Sequence, residues 1–188
     1  MAAPRTMILL DPDLDTDLSP QAKLPKRSGD ASQPAVLRGQ CIPSRQTLAR
    51  FLREAQTAVK LRGHVSVLLT TDAAIRRLNR QFRGKNKATD VLSFPVVMPG
   101  QLKIAGDLAI SIPTARRQAA ERGHSLTIEI KVLMLHGLLH LAGYDHETDK
   151  GEMARREQKL RATLRLPHGL IERTSLGGNA KPAKGRRA

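Results

Sequence analysis

The stretch from Leu126 to Leu141 constrains this chain more than any other. Ile128, Ile130, Leu133, Leu135, Leu138 and Leu139 recur on every side of a helix, so a helix here has no solvent face and has to sit inside a core. It is too short to span a bilayer, and His136 and His140 interrupt it. The expectation is a soluble domain with a polar feature inside its central helix.

Side chains four residues apart lie one above the other on a helix face, which aligns His136 with His140. Gly143 can end the helix and turn the chain back, bringing in His146. The full run is His136-Gly-Leu-Leu-His140-Leu-Ala-Gly143-Tyr-Asp-His146. Three neutral imidazoles meeting on one point form a catalytic-type zinc site, with the fourth position open to water. The spacing is that of the metzincin protease signature H-E-x-x-H-x-x-G-x-x-H, except that Gly137 stands where the signature has its general-base glutamate. An intact metal site without the protease's proton shuttle points to a hydrolase acting on something other than a peptide.

The competing reading is three hydrogen-bonded core histidines. It requires metal spacing by accident, in a stretch with few polar partners, where an unpaired imidazole would cost about 1–3 kcal/mol. Glycine inside a helix costs about 1 kcal/mol relative to alanine, so Gly137 calls for a reason, and room for substrate beside the metal is one. Zinc suits three imidazoles and a water, although nickel, copper or iron could take the same ligands. Asp145 and Glu147 flank the third ligand; each could orient an imidazole, accept a proton, or simply be a solvated loop carboxylate. His64, His124 and His168 fall at turns or element ends and read as surface residues.

Charge narrows the substrate. The chain carries 32 Lys+Arg against 17 Asp+Glu, a formal +15, and residues 41–172 alone hold 22 basic and 12 acidic residues. A basic body favours a polyanionic partner through counterion release. The only aromatic residues are Phe51, Phe82, Phe94 and Tyr144, so a base-stacking platform is not expected and phosphate contacts would have to dominate. Cys41 is the single cysteine, which excludes an intrachain disulfide or a Cys-based zinc site and fits a reducing compartment. Met7-Ile-Leu-Leu10 is too short for a signal segment. The expected location is cytoplasmic, with no membrane association.

Residues 1–18 hold a first strand near Thr6–Leu10, and 19–40, rich in Pro, Ser and Asp, read as a disordered insertion. The catalytic domain is expected over 41–172, with a basic disordered tail at 173–188. Inside it, a helix opens at Pro43-Ser44, Val65–Leu69 is a strand, and Asp72 is the expected N-cap of a helix carrying Ile75, Leu78 and Phe82. A polar, basic loop, 82–90, leads to a strand at Val91–Pro95; another strand follows at Ile104–Ile110, where Gly106 marks a close approach or a bulge. Helices follow from Pro113 to about Arg122, over 126–141, and from about Asp149 to Leu166. This order predicts an α+β fold, a small mixed β-sheet packed with helices around a metal cleft.

The histidine run, together with Phe82-Arg-Gly-Lys85, Thr89-Asp-Val-Leu-Ser-Phe-Pro95 and the Gly106-Asp107 strand, resembles the YbeY family of bacterial endoribonucleases. The similarity extends from about Val65 to Leu166. It implies a single-strand-specific, zinc-dependent endoribonuclease acting in ribosomal RNA processing and ribosome maturation. By that resemblance His136, His140 and His146 hold one Zn2+ and Arg83 is catalytic, with ribosomal RNA and the ribosome or its proteins as partners.

The chemistry expected is attack on an RNA phosphodiester by a metal-bound hydroxide. Arg83 would stabilise the growing charge on the non-bridging oxygens, with Lys85 and Lys87 binding the RNA strand beside it. Two other readings are open from sequence. One is a non-catalytic RNA- or ribosome-binding factor with a structural zinc. The other is a metalloprotease, against which stand the missing helix glutamate and the placing of Met153 in the following helix.

Overall fold

Helices in this chain start where a hydroxyl can satisfy the free N–H groups of a first turn. In the computed structural model, which describes residues 6–14, 41–96, 104–146 and 148–167, four of the five described helices begin this way. Ser44 caps α1 (Arg45–Val59), Thr71 caps α2 (Asp72–Arg83), Ser111 caps α3 (Ile112–Arg122) and Ser125 caps α4 (Leu126–Leu141). The fifth, α5 (Glu152–Thr163), follows Gly151 and borrows the Asp149 carboxylate, which accepts from the N–H groups of Gly151 and Met153, both at 2.7 Å. The insertion at 19–40, the turn at Pro99-Gly100 and the tail from 173 lie outside the described residues, as do Glu147 and His168.

The expected N-cap Asp72 is instead the first helical residue, because Thr71, one step earlier, does the capping through a bond from Ala74 N at 3.2 Å. Asp72 links two helix starts: its carboxylate accepts from Ser111, from Thr114 Oγ1 at 2.7 Å and from Arg117 at 3.1 Å. Burial pushes its pKa up, but the bonds from Ser111, Thr114 and Arg117 outweigh that and hold it below the usual aspartate value.

Four strands form the sheet: β1 (Met7–Leu10), β2 (His64–Thr70), β3 (Val91–Pro95) and β4 (Ile104–Ser111). Their order is β1-β2-β4-β3; β1, β2 and β4 run parallel, and β3 pairs antiparallel with β4 at one edge. The α+β expectation and the mixed sheet are both met. The register between β2 and β4 slips beside Ala105, because Val65 faces Gly106 while His64 faces Ile104. Gly106 itself has φ +148, and a methyl group there would run into the Phe94 carbonyl and lie 2.7 Å from Leu141 Cδ2. A bulge and a close approach therefore coincide at this glycine.

The apolar helix α4 lies inside the core. Ile130, Val132, Leu133, Met134, Leu135, Leu138 and Leu139 are all buried, among side chains from α1, β2, β4 and α5. Each such side chain contributes about 1.5–3 kcal/mol of burial, so the histidines are carried by a firmly anchored element. One acid shares this interior: Glu129, fully buried, is held by Arg122 and His124. His124 is thus not the surface residue its position suggested; its ring hydrogen-bonds a buried carboxylate. The last helix is shorter than expected, 152–163, because Asp149 is used as a cap and Leu164 ends it.

On the sheet face away from α4, Phe82 and Phe94 meet edge to face with centroids 5.2 Å apart. Alternation along β3 places Phe94 opposite to Ser93, whose Oγ bonds Gly137 O on α4 at 3.4 Å. The two rings are therefore directed away from the histidine helix. No described helix is long and apolar enough to cross a membrane.

Candidate metal centre

His136 and His140 occupy the last two turns of α4, and the chain leaves the helix through Ala142 and Gly143, the latter at φ +89. Gly143 N bonds His140 O at 3.0 Å, a glycine-dependent reversal that returns the chain to His146. The three imidazoles have ring centroids 4.8, 5.4 and 5.2 Å apart, and one nitrogen from each falls within 4.8 Å of the other two. The three rings that the spacing of the run aligns therefore lie together at one point.

The hydrogen bonds show what the cluster is suited to hold. His136 Nδ1 lies 3.0 Å from Glu157 Oε2, and His140 is hydrogen-bonded to the Tyr144 backbone. With those outer positions engaged, Nε2 of His136 and Nε2 of His140 face each other at 3.2 Å. Two neutral rings would then direct lone pairs at one another, which is unfavourable unless a cation sits between them. A tetrahedral ion with bonds of about 2.0–2.1 Å requires nitrogens about 3.3 Å apart, close to that separation. Burial, followed by the neighbouring His136 and His146, holds His140 below the usual imidazole pKa against the opposing effects of Asp145 and Tyr144. The neutral, metal-ready form is therefore favoured at this position.

These rings form one wall of an open cleft of about 330 Å³ whose other side comes from α2, the loop after it and β3: Asn79, Arg83, Lys85, Thr89, Asp90 and Val91 to Ser93. The Arg83 loop is positioned by its own helix. Gly84, at φ +67, ends α2, Asn79 Nδ2 donates to Lys87 O at 2.7 Å, and Arg76 Nε donates to Asn86 Oδ1 at 2.8 Å. Arg83 is exposed and has no carboxylate partner among the described residues. Of the residues expected to meet RNA, Arg83 and Lys85 line the histidine cleft, whereas Lys87 lines an adjacent groove with Arg76 and Asn86.

Two features escaped the sequence. Gly137 does not open space for substrate: a methyl group there would lie 2.7 Å from Leu108 Cδ2 and 3.2 Å from Ser93 Oγ. Glycine lets α4 press against β3 and β4. The carboxylate behind His136 is also neither of the flanking acids but Glu157, from the next helix. Asp145 is engaged with Thr148 Oγ1 at 3.0 Å, and Glu147 lies outside the described residues. Asn79 and Ser93 line the cleft as buried polar groups, and a polar residue at a buried helical or strand position was the only signal available for either.

Comparison with known proteins gives a consistent result. A family model described as Endoribonuclease YbeY matches residues 42–165. A Koribacter versatilis protein named Endoribonuclease YbeY is 54% identical over 75% of this chain and 88% of its own length. One of the same name from Solibacter usitatus is 53% identical over 74% of this chain and 88% of its own. The solution structure of TM1509 from Thermotoga maritima matches with a TM-score of 0.47 at 28% identity, covering 74% of this chain and 93% of that one.

Proposed function

The chain belongs to the YbeY family, and from that premise we propose that it is a zinc-dependent endoribonuclease that cleaves single-stranded regions of ribosomal RNA during ribosome maturation. The observation that carries the reading is the cleft itself: three imidazoles on one wall and Arg83, without a carboxylate partner among the described residues, on the other. Such a substrate also puts the protein in the cytoplasm and makes the ribosome or its proteins its partners.

An ion held by His136, His140 and His146 would supply a Lewis acid and a water of lowered pKa. Zinc fits an all-imidazole donor set and needs no redox partner. Arg83 can place two N–H donors on the non-bridging oxygens of one phosphodiester, where negative charge grows as the bond breaks. Its helix is fixed by Thr71 and Asp72, and its loop is tied down by Asn79, so little ordering is required when RNA binds. Lys85 adds a point charge inside the cleft, and Lys87 adds one in the neighbouring groove, where the strand would continue.

The absence of a glutamate at position 137 is compatible with this chemistry. Amide cleavage must protonate a poor leaving group, whereas RNA carries a 2′-hydroxyl beside the scissile phosphate. Here Gly137 faces Leu108 and Ser93, so a longer side chain at that position would meet the sheet first.

The test is cleavage of a ribosomal RNA fragment by Arg83→Glu protein loaded with metal. Loss of about 10²–10³-fold in rate at unchanged metal content is expected, the scale of removing one stabilising donor. Wild-type rates in that variant would remove Arg83 from the mechanism.

A further inference from the structure

Glu157 presents its two carboxylate oxygens to two different groups. It lies on α5, is 2% exposed, and gives Oε1 to Arg161, which binds it through Nε at 2.8 Å and also through Nη2. Arg161 is itself 3% exposed and is anchored further by Nη1 on Pro167 O at 3.1 Å. Four residues apart on one helix, the pair is rigid and close to neutral as a unit. The second oxygen, Oε2, is thereby left for one partner, His136 Nδ1 at 3.0 Å.

A carboxylate only accepts hydrogen bonds, so this contact requires the proton on Nδ1 and leaves the lone pair on Nε2. Nε2 is the atom that faces His140 Nε2 at 3.2 Å in the cluster. We propose that Glu157, held by Arg161, is the positioning residue that fixes the tautomer and ring angle of His136 and strengthens it as a metal ligand. This inference rests on the metal reading of the three histidines. Its elements are separate in the chain, Glu157 lying 21 residues beyond His136, so the contact is made by the docking of α5 on α4. Arg161 has a second consequence: by balancing Glu157, it keeps net negative charge away from a cleft meant for a phosphodiester.

The experiment compares full-length wild type with two variants, Glu157→Gln and the double change Glu157→Leu with Arg161→Met, which removes both buried charges together. Zinc affinity is read by competition with a chromophoric chelator, imidazole tautomers by long-range 1H–15N spectra of metal-free protein, and folding by thermal melts. Wild type should show His136 protonated on Nδ1. Both variants should bind zinc about 10–100-fold more weakly, the usual consequence of losing such a partner. Wild-type affinity in a folded variant, or an Nε2-protonated His136 in wild type, overturns the inference. The wild-type spectrum still decides if neither variant folds. Failure of wild type itself to bind zinc would instead overturn the metal reading and take this inference with it.

Discussion

Replacing Gly106, buried in β4, with alanine should damage this protein more than the addition of one methyl group suggests. At φ +148 a residue with a side chain is strained, at a cost of about 1–3 kcal/mol. The added methyl group would press on the Phe94 carbonyl and sit 2.7 Å from Leu141 Cδ2 and 3.2 Å from Pro95 Cα. Leu141 Cδ2 is a side-chain end that can turn aside, but the other two neighbours are backbone of β3 and can yield only if the strand moves. Overpacking of this kind costs about 1–3 kcal/mol. Together the loss is about 2–6 kcal/mol, out of the roughly 5–15 kcal/mol typical of a whole domain. At about 2–4 °C per kcal/mol for a chain of this size, the melting temperature should fall by about 5–20 °C. Gly123→Ala is the control: φ is +69, but nothing lies within 4 Å of its methyl group, so only about 1–2 kcal/mol should be lost. Paired denaturant melts measure both. Equal or smaller destabilisation at Gly106 would refute the claim that strand and metal helix close on this glycine.

Three further outcomes follow from the same structure. Glu129→Gln should cost about 3–5 kcal/mol in urea melts, because it leaves Arg122 and His124 facing a neutral amide in the core, while metal content per folded protein stays the same. Asp72 has its folded pKa held below its unfolded value near 3.8, so its stabilising contribution is complete above that pH and is lost as pH falls through the folded value. An Asp72→Asn variant should therefore show a shallower fall in stability over that acid range, and an unchanged profile would contradict the assigned role. Dialysis against a strong chelator should abolish RNA cleavage, with zinc restoring it; full activity in metal-free protein would exclude the metal from the reaction.

Much of this molecule was legible in its residues, and the exceptions have a common cause. The histidine cluster could be read because all three histidines lie within one helix end and its turn, where spacing and geometry are the same information. The strands and most helices could be read because their apolar periods are undisturbed. Glu157 could not be found in that way: it reaches His136 only after α5 docks on α4, whereas sequence spacing points to Asp145 and Glu147, the nearest acids. Gly137 suggested an open site when its reason was Leu108, a residue on a strand 29 positions earlier. Thr71 and Asp72 are both good caps, and the choice between them was made by Ser111, Thr114 and Arg117 drawing the aspartate away. His124 looked like a surface residue because its partner is a glutamate inside an otherwise apolar helix.

The central claim is that the three imidazoles hold a metal that the RNA reaction requires. Its most direct test is cleavage of a structured ribosomal RNA fragment by metal-replete wild type beside His140→Ala, with folding of the variant confirmed by thermal melt. Wild type should cleave the fragment, and a folded His140→Ala protein should not. Equal cleavage by the two, or no cleavage by metal-replete wild type, would contradict it.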